Sequence, residues 1–288
     1  MDPLVARKTW RTLEPIHGMV YFVAEADDAY RKAGLQGGRM GYFASRSAPM
    51  GPVAAEVVVA TFYNFNPALV RRVIPRAWHL APPDRILAAR LEAVDQALQR
   101  AWSAEVMGSA ELVEAASLAR RAAESVTDDL AARPLFAGHA SLPWPDAAHL
   151  VLWHAQTLLR EYRGDGHVAA LLVADLDPVE TLVTHAATGE VGADVLKATR
   201  AWPDQDWAAA VDRLRSRRLI EAGEGLSFTD EGTRIRQEIE DMTDARALAA
   251  YEVLGEDGCR RLRELARPLS QAVVAAGLLA ADPGRLLG

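Results

Sequence analysis

The segment between residues 204 and 240 limits the fold of this chain most strongly, because a predicted helix, a short hairpin and a second helix follow one another there. Residues 206–219 read DWAAAVDRLRSRRL, with apolar side chains at helical spacing. Two short apolar segments, 219–221 and 226–228, are joined by Ala-Gly-Glu-Gly, which is typical of a small hairpin. Thr229 is a favourable N-cap for the next helical pattern. Strand patterns are scarce elsewhere, so the sequence predicts a mainly α-helical protein with one small β-wing.

This order of elements is that of the C-terminal half of a winged helix-turn-helix. The string LRSRRLIEAGEGLSFTDEGTRIRQEIEDMTD resembles the end of the MarR-type winged helix. Over most of its length, the chain also resembles a helix-turn-helix family of actinobacteria. The strings GYFASRSAPMGPVAAE, FYNFNP and LREYRGDGHVAAL carry that second resemblance. The resemblance implies a winged-helix fold and no particular activity.

Helical periodicity also organises the rest of the chain. Pro15 is expected in the first turn of a helix over residues 15–34. The three prolines in residues 133–146 predict an irregular segment, and Asp146 is expected to cap a helix that ends near residue 162. The pair Asp177–Pro178 predicts the start of another helix.

The composition excludes several classes of protein. The chain has 288 residues and a net charge of −7, so nonspecific affinity for nucleic acid should be weak. A single cysteine, Cys259, leaves no internal disulfide and no cysteine-rich zinc site. The sequence contains neither a signal-peptide pattern nor an apolar run long enough to cross a membrane. We therefore expect a cytoplasmic protein without a membrane partner.

Two segments of the chain match in order and suggest an internal repeat. Each contains a glycine expected to open a helix (Gly41, Gly166), then a Pro-Val step, an Arg-Ala-Trp tripeptide and a Pro-Asp helix start. The repeat predicts an N-terminal half over 1–133, with a helix-turn-helix at about 39–102, and a winged-helix half over 134–288. Such a chain would be either a monomer whose two halves are arranged like the subunits of a dimer, or a homodimer. Coincidence in an alanine- and arginine-rich chain is the alternative.

Aromatic residues of the first half form a candidate ligand pocket. The repeat would place them near the junction of the two halves, and ligand pockets combine aromatic walls with a few convergent polar groups. Packing in the core is the alternative for each of them. The candidate ligand-binding residues are Tyr42, Phe43, Phe62, Phe65 and, from the proline-rich segment, His139.

Arg46 lies on the same predicted apolar helix as Tyr42. An unpaired charge on such a helix is costly, so Arg46 requires a partner. That partner is either the anionic group of a ligand or an internal carboxylate such as Glu56 or Glu161. We therefore include Arg46 among the candidate ligand-binding residues.

The polar string RGDGH, residues 163–167, is expected to separate two core helices. His167 is the candidate acid/base catalyst, since histidine titrates near neutrality. Asp165 would orient its imidazole, and Arg163 would hold a carboxylate or phosphate of the substrate. The structural alternative is a Gly-Asp-Gly turn in which Asp165 caps a helix opened near Gly166.

The predicted recognition helix is poorly suited to DNA. Gln205 is the one good base-reading residue in its first turn, and it lies between two aspartates. Arg213 and Arg217 come late in the helix, where they would contact phosphate or simply cover the surface. The expected wing carries two glutamates and no basic residue.

We therefore expect a small-molecule-binding protein on a MarR-like scaffold, with the option of cofactor-independent acid/base catalysis on an anionic or aromatic metabolite. The alternative is a ligand-responsive transcriptional regulator that binds DNA through Gln205, Arg213 and Arg217. No cofactor and no metal are expected, because the histidines show no metal-ligand spacing.

Overall fold

The computed structural model describes residues 1–279, and this part of the chain folds into α-helices joined by short loops. Short 3-10 turns follow the first and third helices. In chain order the α-helices are α1 (Pro3–Gly18), α2 (Ala24–Lys32), α3 (Arg39–Ser47), α4 (Ala55–Phe62), α5 (Pro67–Val73), α6 (Arg76–Leu80), α7 (Pro83–Ala101), α8 (Ala104–Met107), α9 (Ala110–Glu124), α10 (Pro134–Ala140), α11 (Ala148–Val173), α12 (Pro178–Ala187), α13 (Ala193–Arg200), α14 (Asp204–Ser216), α15 (Asp230–Glu252) and α16 (Gly255–Ala275).

Two predicted helix starts are confirmed by their capping hydrogen bonds. The Asp177 carboxylate accepts from the backbone N–H of Glu180, whose own carboxylate accepts from the N–H of Asp177. The Thr229 hydroxyl accepts from the N–H of Gly232 and caps α15. A cap of this kind is worth about 1 kcal/mol, so local chemistry is sufficient to fix both boundaries.

The expected helix start at Pro15 is wrong. Helix α1 begins after Asp2, whose side chain accepts from a backbone N–H, and Pro15 lies inside the helix. An internal proline removes one backbone hydrogen bond. Burial of Leu13 and Ile16 as α1 packs on α16 compensates for that loss.

The segment 133–146 is only partly irregular. Pro134 occupies the first position of α10, where its missing N–H is not needed by the helix. Leu135 and Phe136 are buried and anchor this short helix in the core. Residues 141–146 have no regular structure, as predicted. The expected cap at Asp146 is wrong, because α11 begins at Ala148 after Ala147 and has no side-chain cap.

The expectation that RGDGH separates two helices is wrong, because residues 163–167 lie inside the long helix α11. Two glycines cost a helix about 1 kcal/mol each, and tertiary packing offsets this cost. A Cβ atom at Gly166 would lie 3.2 Å from an Arg133 guanidinium nitrogen and 3.4 Å from Cβ of Arg246. The missing side chain lets these neighbours approach α11 closely.

The buried apolar residues within 1–279 form two clusters. The larger one combines residues between 6 and 162 with residues of α15 and α16, and the smaller one combines residues between 170 and 239. The clusters do not follow the boundary expected at residue 133. Within the repeat, Pro83 and Asp204 do begin corresponding helices, but Gly166 opens none. The internal repeat therefore stays a prediction.

The smaller cluster holds α12, α13 and α14 against α15. The expected hairpin that follows α14 is reduced to one antiparallel bridge between Ile220 and Phe228, and residues 1–279 contain no β-strand. Gly223 and Gly225 have φ values of 117° and 89° and make the turn that joins the two bridged segments. Among the described helices, none is both long and apolar enough to cross a membrane.

Candidate ligand-binding site

A cavity of about 290 Å³ lies where α1, α2 and α3 meet α11 and α13. Tyr21 and Tyr42 stand side by side on its wall, with ring centroids 5.3 Å apart, and Phe65 packs against Tyr42 at 5.6 Å. Of the aromatic residues predicted to bind a ligand, Tyr42 and Phe65 line the cavity. Phe43 and Phe62 pack behind them, 5.9 Å apart.

Arg46 lies beneath this aromatic wall and is paired inside the protein. Its guanidinium group donates to the Tyr42 hydroxyl at 2.8 Å and to both Glu161 oxygens at 3.3 Å. Of the two carboxylates considered as partners, Glu161 is the one in contact, whereas Glu56 pairs with the exposed Arg71. Burial opposes ionisation of Glu161, but Arg46 and Arg160 hold its pKa at about 2.

Of the described residues, three arginines line the cavity, and they differ in their partners. Arg160 is bound to Glu14 at 2.8 Å and to Glu161 at 3.0 Å. Arg39 and Arg200 have no ion-pair partner among residues 1–279. Burial lowers the pKa of both, and Arg200 further lowers that of Arg39. The cavity, which the carboxylates of Glu14 and Asp27 also line, therefore contains two arginines that make no ion pair with residues 1–279.

Arg200 is the more enclosed of the two. One of its terminal nitrogens donates to the Thr199 hydroxyl at 2.8 Å, and its guanidinium lies 5.0 Å from the Phe65 ring centroid. Its Nε is enclosed and has no hydrogen-bond partner among the described residues. An unsatisfied buried donor costs about 1–3 kcal/mol. The second terminal nitrogen is not enclosed and makes no hydrogen bond within residues 1–279, so it is the atom available to a carboxylate or phosphate in the cavity.

His17 and Tyr21 add a hydrogen-bonded chain to the site that sequence reasoning missed. His17 Nε2 lies 2.8 Å from the Tyr21 hydroxyl, and His17 Nδ1 lies 2.9 Å from the Thr157 hydroxyl. His17 is completely buried and stacks on Trp153 with an interplanar angle of 9°. The spacing of His17 and Tyr21, four residues apart, was the only local signal for this pair.

The predicted trio on α11 does not converge. Arg163 and His167 face α15, where Arg163 binds Asp244 at 2.7 Å and His167 Nδ1 lies 2.9 Å from the Thr243 hydroxyl. Asp165 instead accepts from the backbone N–H of Phe136 in α10 at 2.9 Å. Burial raises the pKa of Asp165 to about 7 and lowers that of His167 to about 4. The catalytic roles assigned to this trio stay predictions.

His139 is buried and does not line the cavity. Burial and then the charge of Arg90 lower its pKa well below the ordinary value of histidine, so its imidazole is neutral. In the part of the chain that the structure describes, its Nε2 has no hydrogen-bond partner. A contact between His139 and a ligand also stays a prediction.

Comparison with known proteins identifies the family. Residues 6–280 match a helix-turn-helix family. The chain belongs to this helix-turn-helix family. Neither the curated proteins nor the solved structures include a match.

Two arginines of the region around α14, the helix predicted to read DNA, are paired within the described part of the chain. Arg213 contacts Asp177 and binds Glu180 at 3.0 Å, and Arg217 lies 3.4 Å from Glu180. Gln205 is exposed near the start of α14. The two arginines predicted to contact DNA are thus already paired with carboxylates of α12 and its cap.

Proposed function

We propose that this protein is a ligand-responsive helix-turn-helix regulator that takes a small anionic aromatic molecule into the cavity. The observation that carries the proposal is the pair Arg39 and Arg200, which are partly buried beside aromatic rings and make no ion pair with any of residues 1–279. A bound carboxylate would neutralise their charge, and Tyr42 and Phe65 would pack against the apolar part of the ligand.

The position of Arg200 supports coupling between the cavity and the helix-turn-helix. Arg200 is the last residue of α13, and α14 begins at Asp204. The turn between them is tied to the N-terminal part of the chain: the Arg200 carbonyl accepts from Asn66, and the Trp202 indole donates to the Asn64 carbonyl at 2.9 Å. A ligand that binds Arg200 would act on the helix that leads directly into α14.

Membership of a helix-turn-helix family favours DNA as the macromolecular partner. In this proposal α12–α14 and the bridged turn at 220–228 act as a MarR-like winged helix, with Gln205 as the base-reading residue. Arg213 and Arg217 would exchange Glu180 for DNA phosphates. That exchange makes DNA affinity dependent on how tightly α12 holds these arginines.

A second candidate function is ligand binding, with or without catalysis, that does not involve DNA. The pairing of Arg213 and Arg217 with carboxylates favours it, because paired arginines contribute little to a basic DNA-binding surface. Catalysis by His167 and Asp165, with Arg163 as anion contact, belongs to this candidate. Such catalysis requires all three side chains to break their present hydrogen bonds, which join His167 to Thr243, Asp165 to the Phe136 N–H and Arg163 to Asp244.

Two binding measurements test the proposal. Calorimetric titration with benzoate and with uncharged benzamide should give binding of benzoate only, since the two probes share size and ring. Equal or absent binding would contradict the anionic site.

Fluorescence anisotropy tests whether the protein is a DNA-binding regulator. It is measured with the duplex upstream of the gene and with a random duplex, over a range of salt concentrations. Tight, steeply salt-dependent binding that benzoate alters is expected. Weak binding to both duplexes would favour the second candidate.

A further inference from the structure

Arg90 is a buried arginine that makes no ion pair within residues 1–279. It lies on α7, and only 2% of it is exposed. Its Nη1 donates to the carbonyl of Ser45 in α3 at 2.9 Å, whereas its Nε and Nη2 are enclosed and have no hydrogen-bond partner among the described residues. These two nitrogens lie on the same edge of the guanidinium group, and such an edge binds both oxygens of a carboxylate. Arg90 therefore presents two parallel, unsatisfied donors to the interior.

The polar groups nearest to Arg90 are neutral. The ring centroid of Trp153 lies 5.3 Å from the guanidinium carbon, and the Trp153 indole N–H is enclosed and unsatisfied in the described part of the chain. Burial lowers the pKa of His139 and of His154, and the charge of Arg90 lowers both further, so neither imidazole is charged at neutral pH. These side chains add hydrogen-bonding groups to the surroundings of Arg90 but no negative charge.

The neighbouring ion pairs leave one positive charge over. Three guanidinium carbons lie 5.5–5.9 Å from the ring centroid of Tyr21, namely those of Arg46, Arg90 and Arg160. Arg46 pairs with Glu161, and Arg160 pairs with Glu161 and with Glu14. Two carboxylates thus offset two of the three arginines. An uncompensated charge in the interior is costly. Water would satisfy the donors of Arg90 without neutralising it, whereas a monovalent anion does both.

We propose that Arg90 holds a small planar monovalent oxyanion, of the size of formate or bicarbonate, in the core between α3, α7, α10 and α11. The limit on size follows from burial, because Arg90 is almost completely enclosed and does not line the cavity. This site is separate from the ligand site of the proposed function. The unfolded chain does not assemble these surroundings, so the ion binds the folded state and stabilises it.

Urea unfolding of the full chain tests this site, with sodium chloride exchanged stepwise for sodium formate at constant ionic strength. A ligand that binds only the folded state lowers the equilibrium constant for unfolding in proportion to its concentration, once that concentration exceeds the dissociation constant. Each tenfold rise in formate should then lower the equilibrium constant about tenfold in the wild-type protein. An equilibrium constant that does not change on the exchange would overturn the proposal.

Two variants assign the effect of formate to Arg90 rather than to the cavity. Arg90→Gln removes the charge and the pair of donors, so the dependence on formate should disappear. Arg39→Gln with Arg200→Gln is the matched control: it removes the unpaired arginines of the cavity and should keep the tenfold dependence. Dependence that persists in Arg90→Gln, or that is lost in the control, places the anion elsewhere. Either result overturns the inference and leaves the proposed function intact.

A crystal structure of the wild-type chain grown in sodium formate gives a second measurement, which does not depend on the folding of any variant. It should show planar density within hydrogen-bond distance of both Nε and Nη2 of Arg90. Separate water molecules in that position, bridging Arg90 to His139 or His154, would show that solvent satisfies the donors and would overturn the proposal.

Discussion

Asp165 makes the stability of the protein depend on pH in a direction opposite to that of most carboxyl groups. Burial raises its pKa from 3.8 to about 7. The folded state therefore keeps a proton that the unfolded state loses, and stability falls as pH rises from about 4 to about 7. Each pH unit in this window lowers the free energy of unfolding by about 1.36 kcal/mol, so the loss over the whole window is about 4 kcal/mol.

Asp165→Asn should remove this dependence. The amide oxygen can still accept from the Phe136 N–H, and the side chain cannot ionise. From pH 5 to pH 8, the stability of the variant relative to wild type should rise by about 3 kcal/mol, as linkage between the two pKa values requires. Urea unfolding of both proteins at pH 5 and pH 8 measures this change. The contributions of the other titrating groups are the same in both proteins, so they cancel in the difference between the two free energies of unfolding. A constant difference, or a variant that is less stable at pH 8, would refute the reasoning.

Two further predictions concern α11. Glu161→Gln leaves Arg46 and Arg160 without their shared carboxylate and should reduce the free energy of unfolding by about 3–5 kcal/mol, whereas Glu56→Gln, in an exposed pair, should cost less than about 1 kcal/mol. Losses of equal size in urea unfolding would contradict the buried network. Gly164→Ala should stabilise the helix by up to about 1 kcal/mol, since its Cβ would meet only ordinary contacts. Gly166→Ala should give a smaller gain or a loss, because of the contacts at 3.2 and 3.4 Å. Equal melting temperatures for the two alanine variants would argue against close packing at residue 166.

The sequence was most informative where the determining interactions are local. The caps at Asp177 and Thr229 depend on residues two or three positions away, so composition and spacing identify them. The apparent break at RGDGH was misleading for the same reason. Glycine penalties are local, whereas the contacts that offset them come from Arg133 and Arg246, far away in the chain.

The cavity was only partly predictable. Tyr42 and Phe65 stood out because they belong to an aromatic cluster in one stretch of sequence. Arg160, Arg200 and His17 join them only through tertiary packing: the contact of His17 with Thr157 spans 140 residues. No periodicity or motif in a single sequence encodes such a juxtaposition.

The affinity of benzoate for arginine variants tests the central claim most directly, namely that Arg39 and Arg200 remain unpaired in order to hold an anion. Arg39→Gln with Arg200→Gln should weaken binding about 100-fold, by about 1–2 kcal/mol for each lost charged contact. Arg71→Gln, which alters an exposed ion pair with Glu56, is the control and should leave the affinity unchanged. An unchanged benzoate affinity in the double variant would contradict the account.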